Sequence, residues 1–530
     1  MVNSTPLNAL PSTKLFVDFL NGVDAIWNRF EHREVTADFI KQRSRHGASR
    51  KRLVALVQQG MYNVELSATQ QESLRLLGEQ AVVVSTGQQI GLFGGPLYTL
   101  LKIASAARLA RDLSQQHSHA VVPVFWLEDN DHDAAEASTT HLPQDSAVRS
   151  ATFWDGENPR QSVGTKTFTA SDVEKINALM PLLHGPFESD VDSYLIGVYA
   201  EGASWSDAFV RLLQPFLAAW GVLVLRGSDV IASGLHAPIL ERDLAMRGEL
   251  SALVRNAGTT LEESGYHVQA TPTHSLFFRH DKAGRQRIAP EDNFVDLAHE
   301  QPSLFSPNAL ARPIVQDAIL PTIAVVLGAA EIAYTSQLRE AYAACGVPMP
   351  VPYNRHAATF LDAKTVKYLA KENLKPATML RPWQTIERET VSMLGEDTMP
   401  STELSEAALE SVFRLYDSAA SEIDKTLLST VQAAKAQTRK ALEAVRGKMR
   451  AALKRKNIEQ LERRRAIHVM VFPLDGLQER SYPVALMIGR FGIDGLRIIV
   501  ERVTAQPRLD HVIIGSENLA TAHEDLTTVP

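Results

Sequence analysis

The sequence has a single cysteine, no long apolar run and no excess of basic residues. Cys345 alone cannot form an internal disulfide or a metal site built from several thiolates. No run of about 18 apolar residues predicts a membrane span, and the first residues lack the basic region and apolar core of a signal peptide. The formal net charge of −7 provides no general attraction to nucleic acid. We therefore expect a cytoplasmic protein with no membrane or nucleic-acid partner and no tightly bound metal.

What is present is the composition of a globular protein with more than one domain. The chain has 530 residues, of which 45% are hydrophobic and 22% charged. In its first two thirds, helical patterns alternate with apolar, strand-like segments, which cover residues 81–85, 120–127, 221–225, 320–327 and 347–351. Near-continuous apolar strands separated by helices are typical of a sheet buried on both faces. We therefore predict an α/β fold with a parallel sheet.

The connections between these segments are too long for simple crossovers in two places. Residues 134–203 and 255–312 are therefore predicted to be insertions into the α/β core. In the second insertion, the tripeptide KAG separates two β-like runs, which predicts a hairpin. Together with a helical amino-terminal segment, the core is expected to occupy residues 1–365.

The composition changes over residues 366–470, where Ala, Lys, Arg, Glu and Leu predominate. Alternating spacings of three and four residues predict a long helical hairpin or coiled coil. The apolar seam is interrupted by Lys435 and Thr438 and is formed by Leu428, Val431, Lys435, Thr438, Leu442, Val445, Met449 and Ala452. Between residues 439 and 465 there are eleven Lys and Arg residues but three Glu residues, which indicates either a solvated helix face or a phosphate-binding surface. The tail, 471–530, is expected to pack on the core, with strand-like segments at 498–503 and 511–514.

A glycine-rich turn follows the first predicted strand, in the stretch TGQQIGLFGGPLYTLLK at residues 86–102. Glycine lets the backbone approach a ligand, and helix amino termini at the carboxyl edge of a parallel sheet bind anions. Tyr98 and Lys102 lie four residues apart, on one face of the following helix. The stretch is neither a Walker loop nor a dinucleotide fingerprint. A tight turn with a partly exposed lysine is the alternative, but the amides of Gln88 and Gln89 need partners and favour a binding site.

The second strand-like segment is followed by the acidic stretch EDNDHDAAE at residues 128–136. Asp131 and Asp133 flank the imidazole of His132, a combination suited to general-base catalysis or to orienting an amine. The spacing is a weak zinc pattern, because adjacent residues rarely all reach one ion. An acidic loop that caps a helix is the alternative. Because this stretch and the glycine-rich turn leave neighbouring strands at one sheet edge, we expect them to share a pocket.

Two later stretches contain further polar candidates. In SPNALARPIVQDAILPT, residues 306–322, Arg312 and Gln316 share one face of a helix. Arg312 is placed to bind a carboxylate with two hydrogen bonds, and a surface salt bridge is the alternative. The stretch GAAEIAYTSQL, residues 328–338, adds Glu331, either Tyr334 or Thr335, and Gln337 on the next helix. Arg355 is given little weight, since lone arginines are usually structural.

Five stretches together resemble the BshC family of bacillithiol biosynthesis, the cysteine-adding enzyme, and occur in the family's order. They are TGQQIGLFGGPLYTLLK, VPVFWLEDNDHD, FSPNALARPIVQDAILPT, EIAYTSQL and LQER. The likeness extends over nearly the whole chain. It implies a Rossmann-like core related to nucleotidyltransferases and class I aminoacyl-tRNA synthetases, with two connecting-peptide insertions. It also implies a coiled coil that mediates homodimer formation.

The resemblance further implies that L-cysteine is joined to glucosaminyl malate through an amide bond, which gives bacillithiol. Because forming an amide from a free carboxylate is uphill in water, we expect ATP as cosubstrate, with Mg²⁺ as its usual companion. His132, oriented by Asp131 or Asp133, is the expected base, and Lys102 and Arg312 are expected to hold the malate carboxylates. The residues expected to bind substrate or nucleotide are Thr86, Gly87, Gln88, Gln89, Gly94, Gly95, Tyr98, Lys102, Glu128, Arg312, Gln316 and Gln337.

The sequence departs from the family's pattern in two places. Asn130 stands where the family usually has Glu, and Leu327-Gly328-Ala329 replaces its Gly-Gly-Pro. Both changes weaken the claim that those positions are essential. Two other functions stay open. A catalytically silent binding or scaffold protein is mildly favoured by Asn130 but opposed by the polar groups retained in the expected pocket. Transfer of cysteine from tRNA is favoured by the basic stretch 439–465 but opposed by the acidic net charge.

Overall fold

The computed structural model describes residues 3–156, 161–281, 284–395 and 400–517. The chain divides into two compact units, the first comprising Met1–Leu142, Arg149–Lys367 and Gln478–Pro530, the second Pro143–Val148 and Tyr368–Leu477. The strands of the described ranges are β1 Asn3–Pro6, β2 Val82–Gln89, β3 Val121–Glu128, β4 Thr139–Gln144, β5 Ala147–Thr152, β6 Leu223–Arg226, β7 Phe277–Asp281, β8 Gly284–Arg287, β9 Phe305–Pro307, β10 Thr322–Leu327, β11 Val351–Asn354, β12 Ala357–Leu361 and β13 Asp510–Gly515.

The α-helices of the same ranges are likewise numbered in chain order. The first half of the chain contains α1 Lys14–Leu20, α2 Asp24–Trp27, α3 Ala37–Arg43, α4 Arg50–Gly60, α5 Ala68–Gly78, α6 Tyr98–His117, α7 Ala134–Ser138, α8 Ala170–Asn177, α9 Glu188–Val198, α10 Trp205–Ala219, α11 Gly227–Ala232, α12 Ala237–Ala245 and α13 Glu249–Glu263. The second half contains α14 Val295–Glu300, α15 Ala311–Ile319, α16 Ala329–Thr335, α17 Arg339–Cys345, α18 Ala363–Lys371, α19 Trp383–Leu394, α20 Thr402–Ile423, α21 Leu427–Lys456, α22 Ile458–Val471, α23 Gln478–Ser481, α24 Val484–Phe491 and α25 Ile493–Thr504.

Five parallel strands form the central sheet of the first unit, in the order β11-β10-β2-β3-β6. Most side chains of β2 and β3 are buried, which explains their near-continuous apolar sequences. The predicted α/β fold with a parallel sheet is confirmed. The chain begins this sheet at β2, runs outward to β6 and returns to β10 on the other side of β2. The strand order therefore reverses between β2 and β10, and parallel sheets bind ligands beyond the carboxyl ends of such a pair.

Helix α6 covers the centre of the sheet, because its apolar face packs on β2 and β3. Ala106, Leu109 and Ala110 of this helix are buried with Val82 and Val84 of β2. The helix expected after the glycine-rich turn is thus present and runs from Tyr98 to His117. Since α6 follows β2 directly, this packing brings its first turns to the edge of the sheet where the strand order reverses.

The long connections on either side of β6 contain additional elements. The first holds the helices α7 to α10 and the paired strands β4 and β5. The second holds α11 to α15 and a three-stranded antiparallel sheet in the order β8-β7-β9. The predicted hairpin is present as β7 and β8, but its linking residues Lys282 and Ala283 lie outside the described residues. Both strands belong to the segment that carries Arg285 toward the central sheet.

The carboxyl-terminal segment of the first unit contributes one strand rather than the two that the sequence indicates. The strand expected at 511–514 is present as β13, which pairs with β12 and β1. The strand expected at 498–503 is wrong, because these residues belong to α25. Their β-branched content suggests a strand, but Leu496, Ile499, Val500 and Val503 follow helical spacing and are all buried. Burial of one helix face therefore outweighs local β propensity.

The second unit is helical, and the predicted helical hairpin is confirmed as α20 and α21. Lys435 Nζ lies 2.7 Å from Glu410 Oε2, and Arg439 Nη2 lies 3.1 Å from Glu406 Oε2, so the two helices run antiparallel. Lys435, which interrupts the heptad seam, therefore has a partner within the hairpin. None of the described helices combines the length and apolar character that crossing a membrane requires.

Candidate active site

A cavity of about 700 Å³ lies beyond the carboxyl ends of β2 and β10, where the strand order reverses. All of its described lining residues belong to the first unit: Gly87, Gln88, Gln89, Tyr98, Lys102, Glu128, Asp131, Phe278, Arg285, Pro307, Asn308, Ala309, Arg312, Gly328, Ala329, Ala330, Glu331, Tyr334, Arg355 and Arg480. Five of these are cationic and three are acidic, so the described lining carries an excess of positive charge. Such a cavity suits an anionic ligand.

Lys102 of α6 joins the two central strand ends through its ammonium group, and its side chain is almost fully buried. Nζ donates hydrogen bonds to Gly87 O at 2.8 Å and to Gln88 Oε1 at 3.0 Å. Glu331 Oε2 lies 2.5 Å from the same nitrogen and accepts a hydrogen bond from Gly328 N at 2.7 Å. Burial lowers the pKa of Lys102, and Glu331 opposes this effect. The ion pair therefore connects the segment after β2 with that after β10.

Tyr98 lies one helical turn before Lys102 and presents its hydroxyl to the same cavity. Gln88 Nε2 donates to that hydroxyl at 3.3 Å, and the guanidinium carbon of Arg355 lies 5.4 Å from the centre of the Tyr98 ring. Burial raises the pKa of Tyr98, with Arg355 as the largest opposing influence. The phenol is therefore neutral near pH 7 and can donate a hydrogen bond to a ligand.

Arg312 is the main cation on the opposite wall, in the first turn of α15. Its Nη2 donates to the Tyr334 hydroxyl at 3.2 Å, its Nη1 donates to Gln316 Oε1 at 3.4 Å, and its Nε lies 3.9 Å from Glu128 Oε2. Burial disfavours the charge, but Tyr334, Glu128 and Glu331 outweigh burial and raise the pKa of Arg312. Burial also raises the pKa of Glu128, with Arg312 opposing. Arg312 therefore stays charged within the protein.

The stretch after β3 forms a cluster at the more exposed end of the cavity. Gln89 Nε2 donates a hydrogen bond to Asp131 Oδ2. His132 Nδ1 lies 3.1 Å from Asp131 Oδ1 and 3.0 Å from Arg285 Nη1. Asp131 lines the cavity, whereas the His132 side chain is 51% exposed and lies beside it. The structure therefore brings together Asp131 and His132 from the predicted catalytic group.

The tautomer of His132 depends on which of these two partners its Nδ1 uses. When Nδ1 donates to Asp131, Nε2 is free to accept a proton from a substrate amine. When Nδ1 accepts from Arg285, the proton of the neutral ring is on Nε2, which then cannot act as the base. The arrangement can thus supply a general base only in the form in which His132 is paired with Asp131.

Asp133 has a local structural partner and does not line the cavity. Its Oδ1 accepts a hydrogen bond from Glu136 N at 2.8 Å, which caps the amino terminus of α7. Together with Asp131 and Glu136 it borders a much smaller hollow of about 10 Å³. The alternative interpretation of the acidic stretch, as a helix cap, thus applies to Asp133. Its expected catalytic role stays a prediction.

Gly94 and Gly95 also lie outside the described lining of the cavity, because they pack against the protein itself. Both have positive φ, of 88° and 68°. A Cβ on Gly94 would lie 2.7 Å from Leu212 Cδ2 and 2.9 Å from Val484 Cβ. Their expected role in ligand binding stays a prediction. What requires glycine at position 94 in this structure is close packing at a left-handed turn.

Three other predicted binding residues are buried around the site rather than in its lining. Thr86 Oγ1 donates to Val326 O at 2.8 Å, within the sheet. Gln316 Nε2 donates to Ser85 Oγ at 2.9 Å, and its oxygen accepts from Arg312. Gln337 Nε2 donates to Ala270 O at 3.0 Å. Gly87, Gln88, Gln89, Tyr98, Lys102, Glu128 and Arg312 are the predicted binding residues that do line the cavity.

Sequence reasoning missed two cationic groups of the cavity, Arg285 and Arg480, and underestimated a third. Arg355, which it gave little weight, lies 2.6 Å from Glu479 and lines the cavity. Arg480 lines it as well, and the LQER stretch was the available signal for this residue. Arg285 comes from β8, where no local pattern indicates a site. Among the described residues, no group of three or more His, Cys, Asp or Glu side chains is arranged to hold a metal ion.

The fold and the cavity together define a class: a Rossmann-like α/β protein with a cation-rich pocket at the switch point of its sheet. Comparison with known families agrees. Residues 2–356 match the family model described as bacillithiol biosynthesis BshC, N-terminal Rossmann-like domain. Residues 358–514 match its C-terminal coiled-coil domain. The chain therefore belongs to the BshC family of bacillithiol biosynthesis.

Curated relatives from several bacteria are similar over most of their length. One from Koribacter versatilis is 29% identical, with 96% of this chain and 98% of the relative covered. One from Salinibacter ruber is 28% identical, with 82% and 83% covered, and one from Staphylococcus aureus is 25% identical, with 90% and 93% covered. Each is named "Putative cysteine ligase BshC". The similarity thus spans both units, and the names indicate a ligase.

Proposed function

We propose that this protein joins L-cysteine to glucosaminyl malate through an amide bond, with ATP as the cosubstrate that activates the cysteine carboxylate. The observation that carries the proposal is the charge of the cavity, where five cationic side chains meet three carboxylates in about 700 Å³. Glucosaminyl malate has two carboxylates and one amine, which match this mixture of charges. The volume lies within the range of small-molecule sites. We assign the reaction to the cytoplasm, the compartment that supplies ATP.

In the proposed binding mode, malate carboxylates meet the cations and the amine meets the carboxylates. Arg312 is fixed by Tyr334 and Gln316, so it presents a guanidinium of defined orientation. Lys102 is already paired with Glu331 and supports the site mainly by holding Gly87 and Gln88 in place. Gln88 and Gln89 offer amide groups to sugar hydroxyls.

In the proposed chemistry, ATP converts the cysteine carboxylate into an acyl phosphate, with ADP as the leaving group, or into an acyl adenylate, with pyrophosphate as the leaving group. The glucosamine nitrogen then attacks the acyl carbon, which forms the C–N bond and expels phosphate from the acyl phosphate or AMP from the acyl adenylate. His132, paired with Asp131 through Nδ1, accepts the amine proton on Nε2. Because the His132 side chain is half exposed, the proton can pass onward to water. Glu128 and Asp131 hold the amine before attack.

A mass-spectrometric assay tests the proposal directly. The purified full chain is mixed with glucosaminyl malate, L-cysteine, ATP and Mg²⁺, and each component is omitted in turn. We expect bacillithiol only in the complete mixture. Product without ATP would contradict nucleotide-driven activation. Absence of both product and calorimetric binding of glucosaminyl malate would favour the scaffold function, and RNA that co-purifies with the protein would favour tRNA-dependent transfer.

The role of His132 is tested by comparing His132→Ala with His299→Ala, a histidine whose side chain is 79% exposed and which does not line the cavity. We expect the His132 variant to lose roughly a hundredfold in turnover with little change in the affinity for glucosaminyl malate. The His299 variant should match the wild type. Near-normal turnover of His132→Ala would remove this residue from the mechanism.

We also propose that the helical unit forms a homodimer. Large apolar side chains of its long helices are exposed, among them Leu404, Leu415 and Ile423 of α20, each more than 70% exposed. In α21 the seam residues Leu442, Val445 and Met449 are 38–53% exposed, although α20 packs beside them in the hairpin. Exposed apolar stripes of this kind mark protein interfaces. Light scattering at micromolar concentration should give twice 58.4 kDa, whereas a monomer would contradict the dimer.

A further inference from the structure

A short carboxyl-terminal segment, residues 478–484, contacts the glycine-rich turn of the first motif. Leu97 N donates to Tyr482 O at 2.8 Å, and Val484 N donates to Gly95 O at 3.2 Å. Pro96 and Pro483 face each other in an antiparallel bridge between these two bonds. The glycine-rich turn therefore holds a distant part of the chain directly beside the start of α6.

Side chains of the same segment also form hydrogen bonds with the backbone of β12, as a neighbouring strand would do. Gln478 Oε1 accepts from Phe360 N at 2.8 Å, while Gln478 Nε2 donates to Phe360 O at 2.9 Å. Glu479 Oε2 accepts from Ala358 N at 2.7 Å. Both side chains are fully buried. With β12 on one side and the glycine-rich turn on the other, the backbone around residue 480 has a defined position.

Glu479 provides the counter-charge for Arg355, since its Oε1 lies 2.6 Å from Arg355 Nη2. Lys102, Arg285 and Arg312 likewise have a carboxylate within 4 Å. Arg480 is the cavity cation for which the described residues supply no carboxylate at that distance. Its side chain is exposed, lines the cavity and acts electrostatically on the Tyr98 hydroxyl. A ligand carboxylate can therefore pair with Arg480 without displacing a described carboxylate of the protein.

We propose that Arg480, together with the Tyr98 hydroxyl of the same cavity, binds a carboxylate of the malyl group and so determines specificity for the acidic substrate. The inference rests on the proposed function and adds a residue that lies 378 positions after Lys102 in the chain. A guanidinium binds a planar carboxylate through two parallel hydrogen bonds. The segment that follows the helical unit thereby completes a site whose other walls belong to the central sheet.

A carboxylate fits this subsite better than a nucleotide phosphate does. Glycine-rich turns bind phosphate when their backbone N–H groups point at the ligand, but here Gly95 N donates to Leu92 O at 3.1 Å and Leu97 N donates to Tyr482 O at 2.8 Å. The space next to Gly94 is filled by Leu212 and Val484. The turn is thus used for packing, and one guanidinium and one neutral phenol remain, which match the size and charge of a carboxylate.

Calorimetry on the full-length wild type and the variant Arg480→Gln tests the inference. The ligands are glucosaminyl malate, free malate, glucosamine and ATP, each measured separately. We expect Arg480→Gln to weaken the affinity for glucosaminyl malate and for malate roughly ten- to a hundredfold, since a charge-assisted pair is lost. The affinities for glucosamine and ATP should not change. Arg480→Lys keeps the charge but loses the two parallel hydrogen bonds, so its affinity for both malyl ligands should lie between those of the wild type and Arg480→Gln. In turnover assays, KM for glucosaminyl malate should rise more than kcat falls.

Arg497→Gln is the matched control, because Arg497 lies in the same unit but pairs with Asp494 and Glu501 on α25. It should bind all four ligands like the wild type. Equal affinity of Arg480→Gln and wild type for malate would overturn the inference and leave the proposed function intact. Loss of ATP affinity alone would assign Arg480 to the nucleotide and overturn it as well. A wild type that binds neither malate nor glucosaminyl malate would contradict the proposed function itself.

Discussion

The two ends of the cavity differ in burial and in how completely their charges are paired. At the buried end, the side chains of Lys102 and Glu331 are 3% and 18% exposed, and their charges lie 2.5 Å apart. At the open end, the side chains of Asp131 and His132 are 25% and 51% exposed, and the two groups share Arg285 as a third partner. The buried end is thus complete before a ligand binds, whereas the open end has alternative pairings.

This difference indicates that the buried end maintains the structure of the site and that the open end takes part in the chemistry. Buried, mutually paired charges cannot be removed singly without leaving an uncompensated charge in a region of low dielectric. They therefore maintain the shape of the site. Exposed groups with alternative partners cost little to rearrange, so they are suited to proton transfer. Substitutions at the buried end should lower stability, and those at the open end should lower the rate.

The largest expected effect is that of Lys102→Met. The substitution leaves Glu331 without its cation and Gly87 O without a donor, so we expect a loss of about 3–5 kcal/mol in the free energy of unfolding. Chemical denaturation monitored by circular dichroism measures it. The double variant Lys102→Met with Glu331→Gln removes both charges and should recover part of the loss. Equal stability of both variants would show that the ion pair does not maintain the buried end.

A smaller effect, confined to activity, is expected from Asp131→Asn at the open end. Loss of the carboxylate charge leaves His132 without its anionic partner, so turnover should fall roughly ten- to a hundredfold. The free energy of unfolding should change by less than about 1 kcal/mol, because both side chains are partly exposed. Bacillithiol formation and thermal unfolding are measured on the same preparation.

The variant Asp133→Asn is the control for this experiment. Asn caps helices about as well as Asp, so α7 should be unaffected and turnover should match the wild type. If Asp133→Asn instead loses turnover and Asp131→Asn does not, Asp133 is the carboxylate that orients His132. A large loss of stability in Asp131→Asn would contradict the division between the two ends.

The smallest expected effect concerns Asp243, a buried carboxylate satisfied by hydrogen bonds from Ser275 and Leu276 N. Burial raises the pKa of Asp243 to about 6, above the value near 4 of an unfolded chain. Between these two values the carboxyl group is protonated in the folded state and ionised in the unfolded state. Protonation of Asp243 therefore stabilises the fold at low pH, and this stabilisation is lost as pH rises through 6. Asp243→Asn should remove that gain.

Urea unfolding at several pH values between 4 and 7 measures the contribution of Asp243. As pH rises from 4 to 6, the free energy of unfolding of the wild type should decrease relative to that of the variant, by at most about 1.4 kcal/mol per pH unit. His356, whose pKa burial lowers to about 4, acts with the opposite sign and loses stability on acidification, so the difference between variant and wild type is the relevant quantity. The exposed residue Asp296, changed to Asn, should leave the slope unaltered. Parallel curves for Asp243→Asn and wild type would refute the assignment.

Much of the fold could be predicted because its elements have strong local patterns. The strands β2, β3 and β10 are continuous apolar runs, and α21 follows a heptad over most of its length. The strand expected at 498–503 failed because Ile and Val favour strands locally, while the helical spacing of the same residues allows one face to be buried. Where two local signals conflict, packing against the rest of the unit decides.

The candidate site could be predicted in part. The residues that were predicted follow strands of the central sheet closely in the chain, whereas those that were missed come from distant segments. Lys102 and Asp131 lie shortly after strand ends, where the topology of a parallel sheet indicates a site. Arg285 and Arg480 reach the same cavity from β8 and α23, which have no such position in the pattern. The glycines at 94 and 95 were expected to bind an anion, but the structure uses Gly94 for contact with Leu212 and Val484.

The sequence alone determined the class of fold, the family and one half of the cavity, because periodicity and motifs record interactions between residues that are close in the chain. Only the tertiary structure decided which charges are paired. Arg355 is neutralised by Glu479, while Arg480, which lines the same cavity, has no carboxylate within 4 Å among the described residues. Pairing depends on distances below 4 Å between segments more than a hundred residues apart, and such distances are set by the packing of the whole unit.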